Sequence, residues 1–420
     1  MDKNSIAQIT GINSGPGPEA DVWERLERRP DKRDSKTGQV LKAGRPLPTL
    51  SNAVRVLTED SRWHDRLRFN EFSNTIEIDG LGITDQLESG ITLWLDRVYG
   101  VQVATNRASE AACYVAHENG YHPIKDYLRQ IVWDGQERAD LLFTHYAGAE
   151  DTELNRELGR RFLISAISRL FKAGSKVDTC VVLVGKQGAR KSSFLRKLAI
   201  NPEYFSDSSL DMSTKDGYQS LQSVWIYELA ELSSIRPREA ETVKAFISAQ
   251  VDTYRPSYGR HLVKRPRQCV FAGTTNGAEF LSDSTGNRRF WTVAVGEIRL
   301  LELGRDVDQL WAEALKLYRD GERWWLEENG SAALEDQQET FRQVDAWESE
   351  VMQYLTRTSG EFSARDALKA IGFDDYQMTK SASMRMASVL QRLGCRRMKR
   401  RRIEGVRVSP WVKDWGNDGK

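Results

Sequence analysis

The chain has 420 residues, with 61 Lys+Arg against 60 Asp+Glu, a formal charge of +1, and 40% hydrophobic and 29% charged residues. This is the composition of a globular chain of two or three domains that can bury a core without staples, and it excludes a uniformly basic protein and, lacking any apolar run of about 18 residues, a membrane-spanning one. Four scattered cysteines form no CxxC pair, and Cys113, His117, His122 and Asp126 lack the rhythm of a structural zinc site. Reduced thiols and a start, MDKNSIAQIT, without a secretory pattern predict a cytoplasmic location.

Residues 1–50 hold five of the 11 prolines with charged runs such as ERLERRPDKRDSK, which predicts a flexible arm. Apolar residues return in 51–150, notably Ile91, Leu95 and the amphipathic YHPIKDYLRQIVWDG, and predict a small, mainly helical domain. In 151–330, Leu154, Leu158, Phe162, Ile167 and Leu170 recur at helical spacing, and the short apolar runs TCVVLV, VWIY, CVFAG and FWTVAV follow. Buried strands alternating with helices predict an α/β core with a largely parallel sheet. From 345 to 420 the pattern is a helix with Val351 and Leu355, a capping box from Ser363 to Asp366, a helix near 381–393, and a hairpin around Glu404-Gly405. Three helices and a hairpin outline a winged helix-turn-helix.

The segment VVLVGKQGARKSSFLRKLA sets a buried strand, a glycine-containing loop, a Lys-Ser pair and an amphipathic helix in the order of a P-loop NTPase. Gly185 ends the strand, and the backbone of Gln187, Gly188, Ala189, Arg190 and Ser193 can surround an ATP phosphate. Lys191 reaches the β- and γ-phosphates, and the Ser192 hydroxyl takes a Mg²⁺ position. In GxxxxGK[ST] the residue before the lysine is glycine. Arg190 stands there, where its side chain crowds the phosphate or adds positive charge to it.

A phosphate loop calls for a second strand ending in a carboxylate, and WIYELAEL supplies Glu228 for metal and water, with Glu231 as base or polarising partner. Asn276, at the end of the CVFAGTT run, orients water or is simply a turn residue. Arg288 and Arg289, in TGNRRFW, are candidates for an arginine finger or for pairing with a carboxylate.

In their order, GKQGARKS, WIYELAEL, KAFISAQVDTYRPSYGR, GTTN and DSTGNRRFW resemble the virulence-associated protein E family, related to the superfamily 3 helicases within the AAA+ ATPases. The resemblance implies a ring, hexameric in that family's manner, hydrolysing ATP with Mg²⁺ at subunit interfaces and moving along DNA during replication of a phage, prophage or mobile element. It makes Lys191 and Ser192 the Walker A pair, Glu228 and Glu231 the Walker B carboxylates, Asn276 sensor 1, and Arg288 or Arg289 a finger acting in trans. Relatives carrying a primase-polymerase domain have more sequence ahead of the ATPase, so any primase is expected to be a separate partner.

Positive charge is segregated. Residues 255–267 contain Arg255, Arg260, Lys264, Arg265 and Arg267 with no acid, joined by His261, Tyr254 and Tyr258, which could stack on bases. In the related helicases this stretch is a hairpin in the central pore, where single-stranded DNA passes. Its arginines have a second reading at a subunit interface or near the nucleotide. The end of the chain carries Arg397, Lys399, Arg400, Arg401 and Arg402 on the hairpin, the arrangement of a wing gripping duplex DNA; a solvated tail or a protein-contacting winged helix is the other reading. The expected function is an ATP-dependent DNA helicase or translocase; the alternative is a DNA-binding ATPase switch of slow turnover, and a phosphotransferase would need an acceptor pocket that the sequence does not reveal.

Overall fold

The computed structural model describes residues 17–42, 44–212, 214–230, 237–255, 262–276, 287–339, 346–399, 401–403 and 406–413. The chain divides into two compact units, Met1–Gly277 with Asp283–Gln338, and Ala278–Ser282 with Glu339–Lys420.

In the first unit, the stretch expected as an arm holds α1 (Ala20–Arg25) and an antiparallel pair, β1 (Lys32–Arg33) and β2 (Val40–Lys42). Val22 and Leu26 are buried in a cluster with Val56, Leu57, Trp63 and Trp94, so the arm is tied down by apolar contacts from residue 22 onward. Helices α2 (Leu50–Glu59), α3 (Asp85–Tyr99) and α4 (Thr105–Glu118) follow, the first two capped by the Thr49 and Thr84 side chains. Helices predominate in the segment as expected, and a small sheet that the sequence did not predict joins them. Strands β3 (Leu67–Asn70), β4 (Thr75–Ile78), β5 (Leu81–Gly82) and β6 (Gly120–Tyr121) form a sheet in the order β5-β4-β3-β6. Strands of two to four residues carry too little alternation to stand out against the helical pattern around them.

Next come α5 (Pro123–Gln130), α6 (Leu141–Thr144) and α7 (Glu153–Phe171), the last buried at every position from Phe162 to Leu170. The core then alternates β7 (Cys180–Val184), α8 (Lys191–Leu198), β8 (Phe205–Ser206), α9 (Lys215–Gln219), β9 (Ile226–Leu229) and α10 (Pro237–Ser248). A hairpin, β10 (Val251–Tyr254) and β11 (Val263–Pro266), precedes β12 (Val270–Thr275) and β13 (Phe290–Ala294). Helices α11 (Leu300–Arg319) and α12 (Glu328–Glu339) close the unit. The main sheet runs β13-β7-β12-β9-β8 with every neighbouring pair parallel, as the apolar runs predict. Trp225 and Trp311 pack 4.3 Å apart beneath it and donate to the carbonyls of Ala166 and Leu198, so two large side chains are buried with their N–H groups satisfied. On the outer edge of β13, Gln338 and Gln337 of α12 donate to the carbonyls of Phe290 and Thr292.

The second unit contains α13 (Glu348–Arg357), α14 (Ala364–Ala370) and α15 (Lys380–Arg392). Ser363 and Asp366 make the reciprocal capping box expected at the start of α14. Strand β14 (Cys395–Arg397) pairs antiparallel with β17 (Trp411–Lys413), and β15 (Arg401–Ile403) with β16 (Val406–Val408). Val351, Leu355, Leu368, Met386, Leu390 and Trp411 form its core. Among the described residues of both units, no helix is long and apolar enough to cross a membrane.

Candidate functional site: an anion loop beside a buried carboxylate

All five residues of β7 are buried, and the strand delivers the chain to a loop at its carboxyl end. Gly185 is required by packing: a Cβ there would meet Val295 Cγ2 at 2.7 Å. Gly188 has φ +80 with open space about it. Arg190 caps α8 with φ 65 and ψ 27, the left-handed region that glycine enters freely and a side chain enters at a cost. Gln187, Gly188, Arg190 and Ser193 are exposed around the loop, with Ala189 and Ser192 half-buried.

Lys191, the first residue of α8, is 7% exposed. Its Nζ donates to Gly185 O at 2.8 Å, Lys186 O at 3.0 Å and Asn276 Oδ1 at 2.9 Å. The ammonium is thus held across the loop by three oxygens. Burial lowers its pKa, with the Glu228 carboxylate acting in the opposite sense.

Strand β12 lies between β7 and β9, in register Thr275 to Val184 and Ala272 to Glu228, and so brings its own carboxyl end between the loop and Glu228. Glu228 is 1% exposed. Its Oε1 accepts from Ser192 Oγ at 2.8 Å and from Thr274 Oγ1 at 2.5 Å. Its Oε2 is buried with no hydrogen-bond partner among the described residues. An unpaired buried carboxylate oxygen costs about 1–3 kcal/mol or more, and a hydroxyl with a carboxylate is the hard oxygen set that suits Mg²⁺. The residues therefore fit a phosphate and a divalent cation. Thr274 as the anchor of Glu228 is the residue that motif reasoning misses. Its signal is the two-residue period of β12, which places 274 and 276 on one face.

The remaining expected residues separate. Glu231, Arg260, His261 and Arg400 lie outside the described residues. Arg288 and Arg289 directly precede β13, whose Phe290 is level with Cys180 and whose Ala294 is level with Val184. In a parallel sheet this puts both arginines at the end opposite the loop, about 16 Å away at ~3.3 Å per residue. There they line a cleft of about 460 Å³ with Lys176, Trp324 and Trp325, and Arg289 Nε donates to Ser248 Oγ at 2.9 Å. On the β10–β11 hairpin, Arg255 and Lys264 are exposed, whereas Arg265 is bonded to Asn74 Oδ1. Arg267 is buried in a bidentate pair with Asp252, and Tyr254 is 5% exposed. The charge count of this stretch therefore overstates what it offers a ligand, and Tyr254 is not placed to stack on a base. In the second unit Arg397 and Lys399 are exposed, and Arg401 and Arg402 lie on β15.

The virulence-associated protein E-like domain model matches residues 128–343, which contain the loop, Glu228 and both arginines. Among solved structures, the apo structure of the NrS-1 C-terminal region is similar at 12% identity and TM-score 0.40, covering 68% of this chain and 78% of that one. The A form of the same region aligns at 13% identity and TM-score 0.40, with the same coverage. No curated protein matches.

Proposed function

The chain belongs to the virulence-associated protein E-like domain family, and from that premise we propose that it is an ATP- and Mg²⁺-dependent DNA helicase or translocase with a P-loop, AAA+-like core and a C-terminal winged helix, acting in replication of a phage, prophage or mobile element. The observation that carries this reading is the buried Glu228, whose Oε1 is taken by Ser192 and Thr274 and whose Oε2 is unpaired, next to a lysine held at the mouth of an anion loop.

In this reading the backbone from Gln187 to Arg190 cradles phosphate oxygens, and Lys191 exchanges the carbonyls of Gly185 and Lys186 for them. Ser192 and Glu228 Oε2 would hold Mg²⁺, which when bound neutralises charge developing on the transferred phosphoryl group. Asn276, already fixed by its bond to Lys191, orients the attacking water, and Glu231 takes its proton as base or acts as polarising partner. Arg288 and Arg289 are too far from their own loop to reach a phosphate, so the finger comes from a neighbouring copy in a ring, a homo-hexamer by family resemblance. Exposed Arg255 and Lys264 on the hairpin follow single-stranded DNA, and the basic strands of the C-terminal unit grip duplex.

The test is ATP hydrolysis and strand displacement with and without single-stranded DNA, for wild type and Lys191→Ala. DNA-stimulated hydrolysis lost in the variant is expected; strand displacement undiminished in Lys191→Ala would sink the reading. The left-handed Arg190 favours a second reading, a nucleotide-binding switch with slow turnover. Retained nucleotide binding with negligible hydrolysis would select it.

A further inference from the structure

Helix α15 divides sharply by angle. At about 100° per residue, Ala382, Met386, Val389 and Leu390 fall within one arc, and all are buried in the core of the second unit. Ser381, Met384, Ser388 and Gln391 fall on the opposite side within about 80° of arc, and all four are exposed. Met384 is 64% exposed and Tyr376, in the turn before the helix, is wholly exposed, so the core does not account for either. Lys380 extends the stripe at its start, and Arg385 borders it while stacked over Trp347 at 4.0 Å.

The surroundings define the occupant. From residue 376 to 403 there is no acid, while Lys380, Arg385, Arg392, Arg396, Arg397, Lys399, Arg400, Arg401 and Arg402 are basic. Most of that charge follows the helix in sequence, between residues 395 and 402, with Arg396, Arg397 and Lys399 exposed. A surface that recognised phosphate alone would carry its cations on the helix stripe too. Past Lys380 at its start, the stripe instead holds two hydroxyls, a carboxamide and a thioether. Those are groups suited to base edges: Gln pairs with adenine, Ser with either donors or acceptors, and an apolar side chain with the thymine methyl. Ser388 donates its proton to Met384 O at 3.2 Å, which leaves its lone pairs for an external amino group.

We infer that the exposed stripe of α15 reads base edges in the major groove of duplex DNA, so that the C-terminal unit selects a DNA sequence while the neighbouring strands hold phosphates. The inference rests on the duplex-binding part of the proposed function and goes beyond it in assigning sequence selection to named side chains. From Ser381 to Gln391 the stripe spans about 15 Å, or roughly four to five base steps.

The test is selection of duplexes from a randomised pool by the full chain, followed by binding of the selected and scrambled duplexes at fixed salt. A motif of four to five base pairs is expected. Gln391→Ala and Ser388→Ala should each weaken the selected duplex about 5- to 150-fold, the range of a lost base contact, with little change for scrambled duplex. Lys399→Ala should weaken both alike and flatten the salt dependence. Equal binding of every duplex overturns the inference and leaves the helicase reading standing, as does a motif that survives both stripe substitutions. Failure to bind any duplex overturns the inference together with the duplex role, while single-strand-stimulated ATP hydrolysis reports on the motor separately.

Discussion

Replacing Arg190 with glycine tests whether the phosphate loop is strained where it departs from its usual pattern. Arg190 has φ 65, and its carbonyl still accepts the Phe194 N–H at 2.9 Å, so the backbone bond that starts α8 does not depend on its side chain. A side chain in the left-handed region costs about 1–2 kcal/mol, and glycine removes that cost while adding about 0.5–1 kcal/mol of unfolded-state entropy. Arg190→Gly is therefore expected to raise stability by about 0.5–1 kcal/mol, and Arg190→Ala, which keeps a Cβ at the same φ, to leave it within about 0.5 kcal/mol of wild type. Urea denaturation of the three proteins measures this. A glycine variant less stable than the alanine variant would refute the strain assignment. The same proteins report on charge: if the guanidinium helps to hold phosphate, both variants bind ATP more weakly, whereas unaltered binding with faster hydrolysis in Arg190→Gly marks the side chain as an obstruction.

Other outcomes follow from the same geometry. Glu228→Gln should cut ATP hydrolysis by about 10²–10⁴ while thermal denaturation shows unchanged or higher stability, because a buried charge with an unpaired oxygen is removed. Arg267→Ala should destabilise by about 3–5 kcal/mol by leaving Asp252 buried and unpaired, and replacing both partners with apolar residues should recover most of the loss in denaturant titration. His122 is buried, accepts the Lys125 N–H on Nδ1 and bonds Gln268 through Nε2 at 2.7 Å. Burial, chiefly, holds its pKa below the ordinary value of 6.5, so its contribution to stability is present above that pH and is lost as pH falls through the lowered pKa. His122→Asn, which keeps an N-cap acceptor, should remove that acid-sensitive component from a stability-versus-pH curve.

The parallel core was legible because its strands are continuous apolar runs flanked by glycine or polar residues, and the capping box because two residues three positions apart determine it. Strand order was not legible: nothing local in CVFAGTT says that β12 inserts between β7 and β9, yet that insertion is what joins Asn276 to Lys191 and Thr274 to Glu228. The small sheet of β3 to β6 escaped because its strands are shorter than one reliable period. Charge counting failed for Arg267, since a side chain's sign does not disclose that an aspartate fifteen residues earlier neutralises it in the interior.

The glutamines of α12 bear on where this chain can be cut. β13 is the outer strand of the main sheet, and Gln337 and Gln338 occupy carbonyls on its open side. A bare strand edge is a template for pairing with other chains. A fragment ended ahead of these glutamines would expose that edge beside the cleft of Arg288 and Arg289, and self-association of such a fragment would report edge pairing instead of ring formation. The shortest piece suited to measuring assembly therefore runs through residue 338, where the first compact unit itself ends.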